Sequence, residues 1–204
     1  MVDPSQPSSS QPQTPAREAA VLTIGYGGDT VENLVSRLRA VGVTHVADVR
    51  SRPASRFRPE YNGPELQARL SEHGIGYVFL GSDLGGRPDD PTCYTADGRV
   101  DYRIIKQKPF FQRGLERLRA GSRRRLRICL LCSEGRPEDC HRTKLIAEAL
   151  VEQFGITVEH IDPDGNLVAH EDALARLNRG QQSLGFIDLL HESSGTYAGD
   201  GARR

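Results

Sequence analysis

The chain has 204 residues and is 37% hydrophobic, enough to build the core of one ordinary domain. No apolar run approaches the roughly 18 residues of a membrane span and the start has no apolar leader core, so the sequence predicts a soluble, cytoplasmic protein with no membrane partner. The formal net charge is +0, which gives no overall pull toward nucleic acid, and four cysteines are too few for a disulfide scaffold.

Residues 1–18 are rich in Pro, Ser and Gln and predict a disordered tail, followed by one α/β domain over 19–179. Val21 to Ile24 reads as a short buried strand ending in the glycine turn "GYGG". The next segment fits a helix with Val31, Leu34, Val35 and Leu38 as its apolar stripe, Asp29 as its cap, Glu32 three residues later and Gly42 as its stop. "THVADVR" is a second strand, followed by the basic loop "SRPASRFRPEY". A helix capped by Asn62 with Glu65 at its third position follows, and then a third strand, "IGYVFLG".

The polar stretch "SDLGGRPDDPTCYTADGRV" predicts irregular structure. Pro109 to Ala120 is helical, with Phe110, Phe111, Leu115 and Leu118 inward. "RRRLRICLLC" holds the fourth strand, about Asp139 to Phe154 a helix, and Ile156 to Ile161 the fifth strand. Residues 180–204 form a partly flexible extension in which "SLGFIDLLHESSG" fits a short helix or a segment lying on the sheet. The alternation predicts a mainly parallel sheet of about five strands with helices on both faces.

In such folds ligands bind beyond the carboxyl ends of the strands. That rule gathers Tyr26–Gly28, Asp48–Arg52, Gly81–Arg87 and Cys132–Glu134 at one rim. The richest corner is "CSEGRPEDCHR", which admits several readings. Cys132, Cys140 and His141, with Glu134 or Cys129 as a fourth donor, could hold zinc, although adjacent Cys140 and His141 must turn the same way. Cys132 and Cys140 could form a redox pair across the loop. In the third reading Cys132 and Cys140 supply reactive thiols, His141 shuttles a proton, Asp48 or Glu134 acts as base or orienter, and Arg142 clamps an anion. The offset from Cys132 does not match a cysteine phosphatase loop, since Glu138 stands where arginine is needed. The bland alternative is two small buried thiols, a capping histidine and an Arg142 paired with Glu134 or Asp139.

The other rim segments are basic or glycine-rich. Arg50 and Arg52 are candidate phosphate contacts, with Arg56, Arg58, Phe57 and Tyr61 nearby, while an Asp48–Arg50 ion pair is the structural alternative. Gly85 and Gly86 allow close approach of a ligand or a backbone, and Arg87 and Tyr26 can contact what binds. The remaining basic stretch, "RRRLR", falls at the opposite edge of the sheet, and His45, His73, His160 and His191 read as structural.

Together "TIGYGG", "DVRSRPASRFRPEYN", "YVFLGSDLGGRP" and "CSEGRPEDCHR" resemble domain-of-unknown-function family 488 from about Leu22 to Leu177. The resemblance implies a similar small α/β organisation and maps the family pattern onto Gly25, Asp48, Arg50, Pro53, Ser55, Gly85, Gly86, Cys132, Glu134, Cys140, His141 and Arg142. It brings no substrate with it. The residues themselves predict an enzyme on an anionic, phosphate-bearing small molecule or nucleic acid, without cofactor or metal. The alternatives are a nucleic-acid-binding module built on the Arg50–Arg58 loop, and a metal- or redox-responsive domain built on Cys132, Cys140 and His141. The sequence is silent on oligomeric state.

Overall fold

The computed structural model describes residues 20–184, 190–193 and 195. The N-terminal tail and most of the C-terminal extension considered above lie outside those residues. The chain runs β1 (Val21–Gly25), α1 (Val31–Ala40), β2 (His45–Asp48), α2 (Gly63–Glu72), β3 (Gly76–Phe79), α3 (Gly81–Leu84), α4 (Tyr102–Lys106), α5 (Pro109–Arg123) and β4 (Ile128–Cys132). A π-helical turn, Arg142–Ala147, then leads into α6 (Glu148–Phe154), β5 (Val158–Ile161), β6 (Leu167–Ala169) and α7 (His170–Leu184).

The sheet order is β3-β2-β4-β1-β5-β6. The first five strands are parallel, and β6 pairs antiparallel with β5 at one edge. The fold class is therefore the expected α/β sheet, with one added strand. That strand has three residues, only one of them buried, so it carries no alternation long enough to read.

Strand side chains alternate between two apolar layers. Leu22 and Ile24 of β1 and Cys129 and Leu131 of β4 face α1 and α2, where Leu34, Leu38, Leu66 and Leu70 are fully covered. Ile128, Leu130 and Cys132 face the other way, toward Phe111 and Leu115 of α5 and the helix that ends at α6. Cys129 and Cys132 thus lie on opposite faces of the sheet and cannot act as a pair. Burial alone pushes the Cys129 thiol well above its ordinary range.

Two expected caps are different. Thr30, not Asp29, caps α1: its hydroxyl accepts from the Asn33 N–H at 3.2 Å. Asp29 stands one residue early and instead holds Arg37 at 2.7 Å. Asn62 precedes α2 without a side-chain capping bond, because its Oδ1 accepts from Ser55 N at 2.7 Å and so ties down the basic loop. The polar stretch expected to be irregular contains α3, a 3-10 turn at Pro91–Cys93 and a bridge from Tyr94 to Val100.

Candidate functional site

All four predicted rim segments meet at the carboxyl ends of β1, β2, β3 and β4. Register pairing sets Gly25 beside Cys132 and Asp48 beside Leu131. The loop after β4 then passes so close to β1 that a Cβ on Gly25 would lie 1.7 Å from the Glu134 carbonyl oxygen. Glycine is required there by the approach of another backbone.

The loop returns at the turn closed by Cys140 N donating to Pro137 O, 3.1 Å, and this turns Cys140 and His141 back toward Cys132. Cys132 Sγ lies 2.7 Å from Glu134 Oε2 and 3.6 Å from His141 Nδ1. Cys140 Sγ lies 3.2 Å from the same carboxylate oxygen and 3.7 Å from the same ring nitrogen. One donor atom from each of the four side chains falls within 4.8 Å of the others. Adjacent Cys140 and His141 do turn the same way. Both thiols are buried, His141 is 9% exposed, and Glu134 alone of the four is open to solvent.

The His141 ring is fixed from behind. Its Nε2 meets the Val49 carbonyl at 3.1 Å, and since a carbonyl only accepts, Nε2 carries the proton. In the neutral ring that leaves Nδ1 with its lone pair facing the thiols, the tautomer a metal ligand needs. Gly86 packs against the ring, where a Cβ would lie 2.7 Å from His141 Cγ. The two thiols share protons unequally. The Cys140 hydrogen bond and burial push Cys132 up. Burial would raise Cys140 too, but the Cys132 hydrogen bond and the Arg142 charge hold it well below its ordinary range. Burial disfavours a charged His141, and the neighbouring Cys140 outweighs it and pushes the imidazole up.

Other expected residues take different roles. Arg142 does not reach outward to a bound anion. It is fully buried, and its guanidinium donates to Glu134 O at 2.5 Å, Gly135 O at 2.9 Å and Thr23 Oγ1 at 3.3 Å. It clamps the chain's own loop, because the loop carbonyls and Thr23 surround it inside the fold. Asp48 does not orient His141, since its carboxylate is taken up by Arg50 (Nη2 to Oδ2, 2.5 Å) and by the Tyr77 hydroxyl at 2.8 Å. Burial would lower the Arg50 guanidinium, and the Asp48 carboxylate more than offsets it, so Arg50 is held by Asp48 rather than offered to a ligand. Gly85 packs on Ser51, Arg87 N donates to Ser51 Oγ at 2.9 Å, and Arg52 and Arg87 project from the surface.

Tyr26 stacks on Tyr61 with ring centroids 3.9 Å apart, under Arg50. It lines a groove of about 460 Å³ that opens beside Glu134, with Gly27, Gly28, Arg37, Arg136 and Asp139 among its walls. A second hollow of about 430 Å³ lies between Asp162 and α7 and contains none of the four donors.

The sequence reading missed a buried polar line behind the site. His160 reads as structural, and His170 and Glu148 draw no notice, yet Thr23, His160, His170 and Glu148 are hydrogen-bonded in series. The available signal is a polar residue at a buried position of each of two strands, Thr23 in "VLTIG" and His160 in "VEHI".

Residues 30–150, more than half of the chain, match the family model described as Domain of unknown function DUF488. The matched span contains the "DVR", "DLGGRP" and "CHR" segments, and "TIGYGG" precedes it. No curated protein and no solved structure matches the chain.

Proposed function

The chain belongs to the DUF488 family, and from that premise and the site's geometry we propose that it is a metal-dependent enzyme whose substrate enters the groove beside Glu134 and meets the cation through an oxygen. Cys132, Cys140, His141 and Glu134 hold a divalent cation of the zinc class. The observation that carries this reading is the convergence of four donor atoms within 4.8 Å, two of them sulfurs and one a ring nitrogen whose tautomer is already fixed.

Bond lengths near 2.3 Å to sulfur and 2.0 Å to nitrogen or oxygen put tetrahedral ligands roughly 3.3–3.8 Å apart. The sulfur–nitrogen separations of 3.6 and 3.7 Å fit that cage. The contacts of Glu134 to the sulfurs, 2.7 and 3.2 Å, are shorter than that cage and would lengthen as a cation takes the place of the proton on Cys132. Charge decides between this reading and a bare thiol nucleophile. A carboxylate against both sulfurs repels an anionic substrate from them and attracts a cation.

Three donors are inside and one is at the surface beside the groove. Structural zinc centres keep four protein ligands, whereas catalytic centres keep three and one exchangeable position. Glu134 is the ligand that can yield its place to a substrate oxygen, which the cation would polarise. Elemental analysis of purified protein tests the centre. One zinc-class ion per chain, lost in Cys132→Ser and in Cys140→Ser, is expected. Thiols alkylated at the same rate with and without added zinc, and no bound ion, would overturn it.

One observation favours a second reading, a nucleic-acid contact through the basic loop. Phe57 is 94% exposed, the preceding Arg56 and nearby Arg52 also project outward, and such a ring can stack on a base. Binding of a single-stranded oligonucleotide should then weaken steeply with salt and fail in a Phe57→Ala, Arg56→Ala double variant. Salt-independent binding, or full binding by that variant, rejects it.

A further inference from the structure

We propose that Thr23, His160, His170 and Glu148 are positioning residues: one buried hydrogen-bonded line that holds Arg142, and through it the loop that sets Glu134 over the two thiols. The inference deepens the cation reading, because the loop so held carries the fourth donor, but the holding itself does not depend on a bound ion.

The line can be followed atom by atom. Glu148 Oε2 lies 2.9 Å from His170 Nε2, His170 Nδ1 lies 3.1 Å from His160 Nε2, and His160 Nδ1 lies 2.8 Å from Thr23 Oγ1. Arg142 Nε donates to the same Thr23 oxygen at 3.3 Å, and the other two guanidinium nitrogens grip the carbonyls of Glu134 and Gly135. The members come from β1, β5, the start of α7, the first residue of α6 and the π-helical turn. Thr23, His160, His170 and Arg142 are all buried, and only Glu148 reaches partly to solvent.

Proton placement gives the line a direction. A carboxylate only accepts, so His170 Nε2 carries a proton. With that ring neutral, its Nδ1 accepts, so His160 Nε2 donates to it. With His160 neutral, its Nδ1 accepts in turn from the Thr23 hydroxyl. The Thr23 oxygen is left to receive the Arg142 N–H. Every donor then points from the cationic end at Arg142 to the anionic end at Glu148. Reversing any ring sets two donors or two lone pairs against each other in a buried place, where an unmade hydrogen bond is costly. Burial and the nearby cations keep His160 neutral, and its His170 bond holds Glu148 ionised. The other charged or titratable groups facing the line are Arg176 and Cys140 beside His160, and Lys106 and Glu152 beside Glu148.

Backing groups of this kind usually change metal affinity by about 10- to 100-fold when removed. Here they act through Arg142, Thr23 two hydrogen bonds and Glu148 five from the Glu134 carbonyl, so no more than the lower figure is expected. The test uses the full chain, as wild type, Glu148→Ala and His170→Phe, in two arms. In chelator-treated protein, the rate at which iodoacetamide labels Cys132 and Cys140 should rise severalfold in the variants as the loop loosens. With cobalt added, the thiolate charge-transfer band should appear in all three proteins at roughly tenfold higher half-saturation in the variants. Nitrogen NMR of the wild type at pH 8 should show both rings protonated on Nε2. Unchanged labelling and unchanged cobalt affinity in a folded variant overturn the inference, as does a His160 protonated on Nδ1. If His170→Phe does not fold, Glu148→Ala decides alone. Wild type that takes no cobalt rejects the cation reading, while the labelling arm still judges the line.

Discussion

Single residues at this site are constrained from outside the donor set. Gly86 lets the His141 ring sit flat against the backbone, and Gly25 lets the Glu134 carbonyl pass. Gly86→Ala should push the ring off its Val49 anchor and weaken cation binding more than it weakens the fold. Gly25→Ala meets backbone at 1.7 Å and also the Arg142 Nη1 at 2.8 Å, and neither can yield easily. That substitution should cost about 1–3 kcal/mol or more in urea unfolding, as an overpacked core does. Parallel metal titration and unfolding of both variants separate the two effects, and an unaltered unfolding midpoint in Gly25→Ala would contradict the close approach. His160 makes a different demand. Burial first, with the nearby Arg142 charge, pulls its pKa down to about 3. An unfolded histidine titrates near 6.5. Between those values the unfolded chain binds a proton that the folded chain refuses. Stability present above about pH 6.5 is therefore lost as pH falls toward 3, at up to about 1.4 kcal/mol per pH unit. Denaturant midpoints measured from pH 7 to pH 4 should fall less steeply, by one proton, in His160→Gln.

Among the elements, α1 illustrates how a cap is chosen. The segment "GDT" offers two capping residues in succession. The backbone settles it, because Thr30 is extended and stands immediately before the first helical residue. Thr30→Ala should cost about 1 kcal/mol of unfolding free energy. Asp29→Ala should act through the lost Arg37 pair, and so shrink at high salt where the Thr30 effect does not. Sequence pattern carried β1, β2, β4, α1 and α5 because each buries a continuous run or a helical stripe that periodicity reports. It missed β6, with one buried residue, and the π-helical turn, which differs from an α-helix by hydrogen-bond register rather than composition. The short elements between α3 and α4 were hidden for a related reason. They are held by local turns such as Asp90 accepting from Thr92 N, in a stretch whose glycines and prolines read as loop. The Asp48–Arg50 pair was legible as a possibility from its spacing at a strand end. That the Tyr77 hydroxyl also takes up the Asp48 carboxylate was not legible, because Tyr77 arrives from β3.

At the scale of the whole molecule, strand order makes the site. β1 lies between β4 and β5, so its carboxyl end supports the Cys132 loop on one side and leads to His160 on the other. The rule that ligands gather beyond parallel strand ends was enough to bring the right loops to one rim. It could not say that both thiols turn inside, or that Arg142 faces the loop instead of a ligand, because those facts depend on packing across the sheet. In the proposed cation site, the same architecture sets how much a bound ion would stabilise the fold. Cys132, Glu134, Cys140 and His141 span only ten residues, so an unfolded chain also binds zinc through its thiols, and that affinity subtracts from the gain. What the unfolded chain lacks is Val49 from β2 fixing the ring tautomer and Arg142 fixing the loop. The folded state must therefore bind more tightly than the free segment. With free zinc 100-fold above its dissociation constant, unfolding free energy should rise by up to about 2.7 kcal/mol, reduced by whatever the unfolded chain captures. Urea midpoints measured with zinc and with chelator give that difference. Cys132→Ser and Cys140→Ser should abolish it, whereas Cys129→Ser, on the other face of the sheet, should lower both midpoints and leave the difference in place.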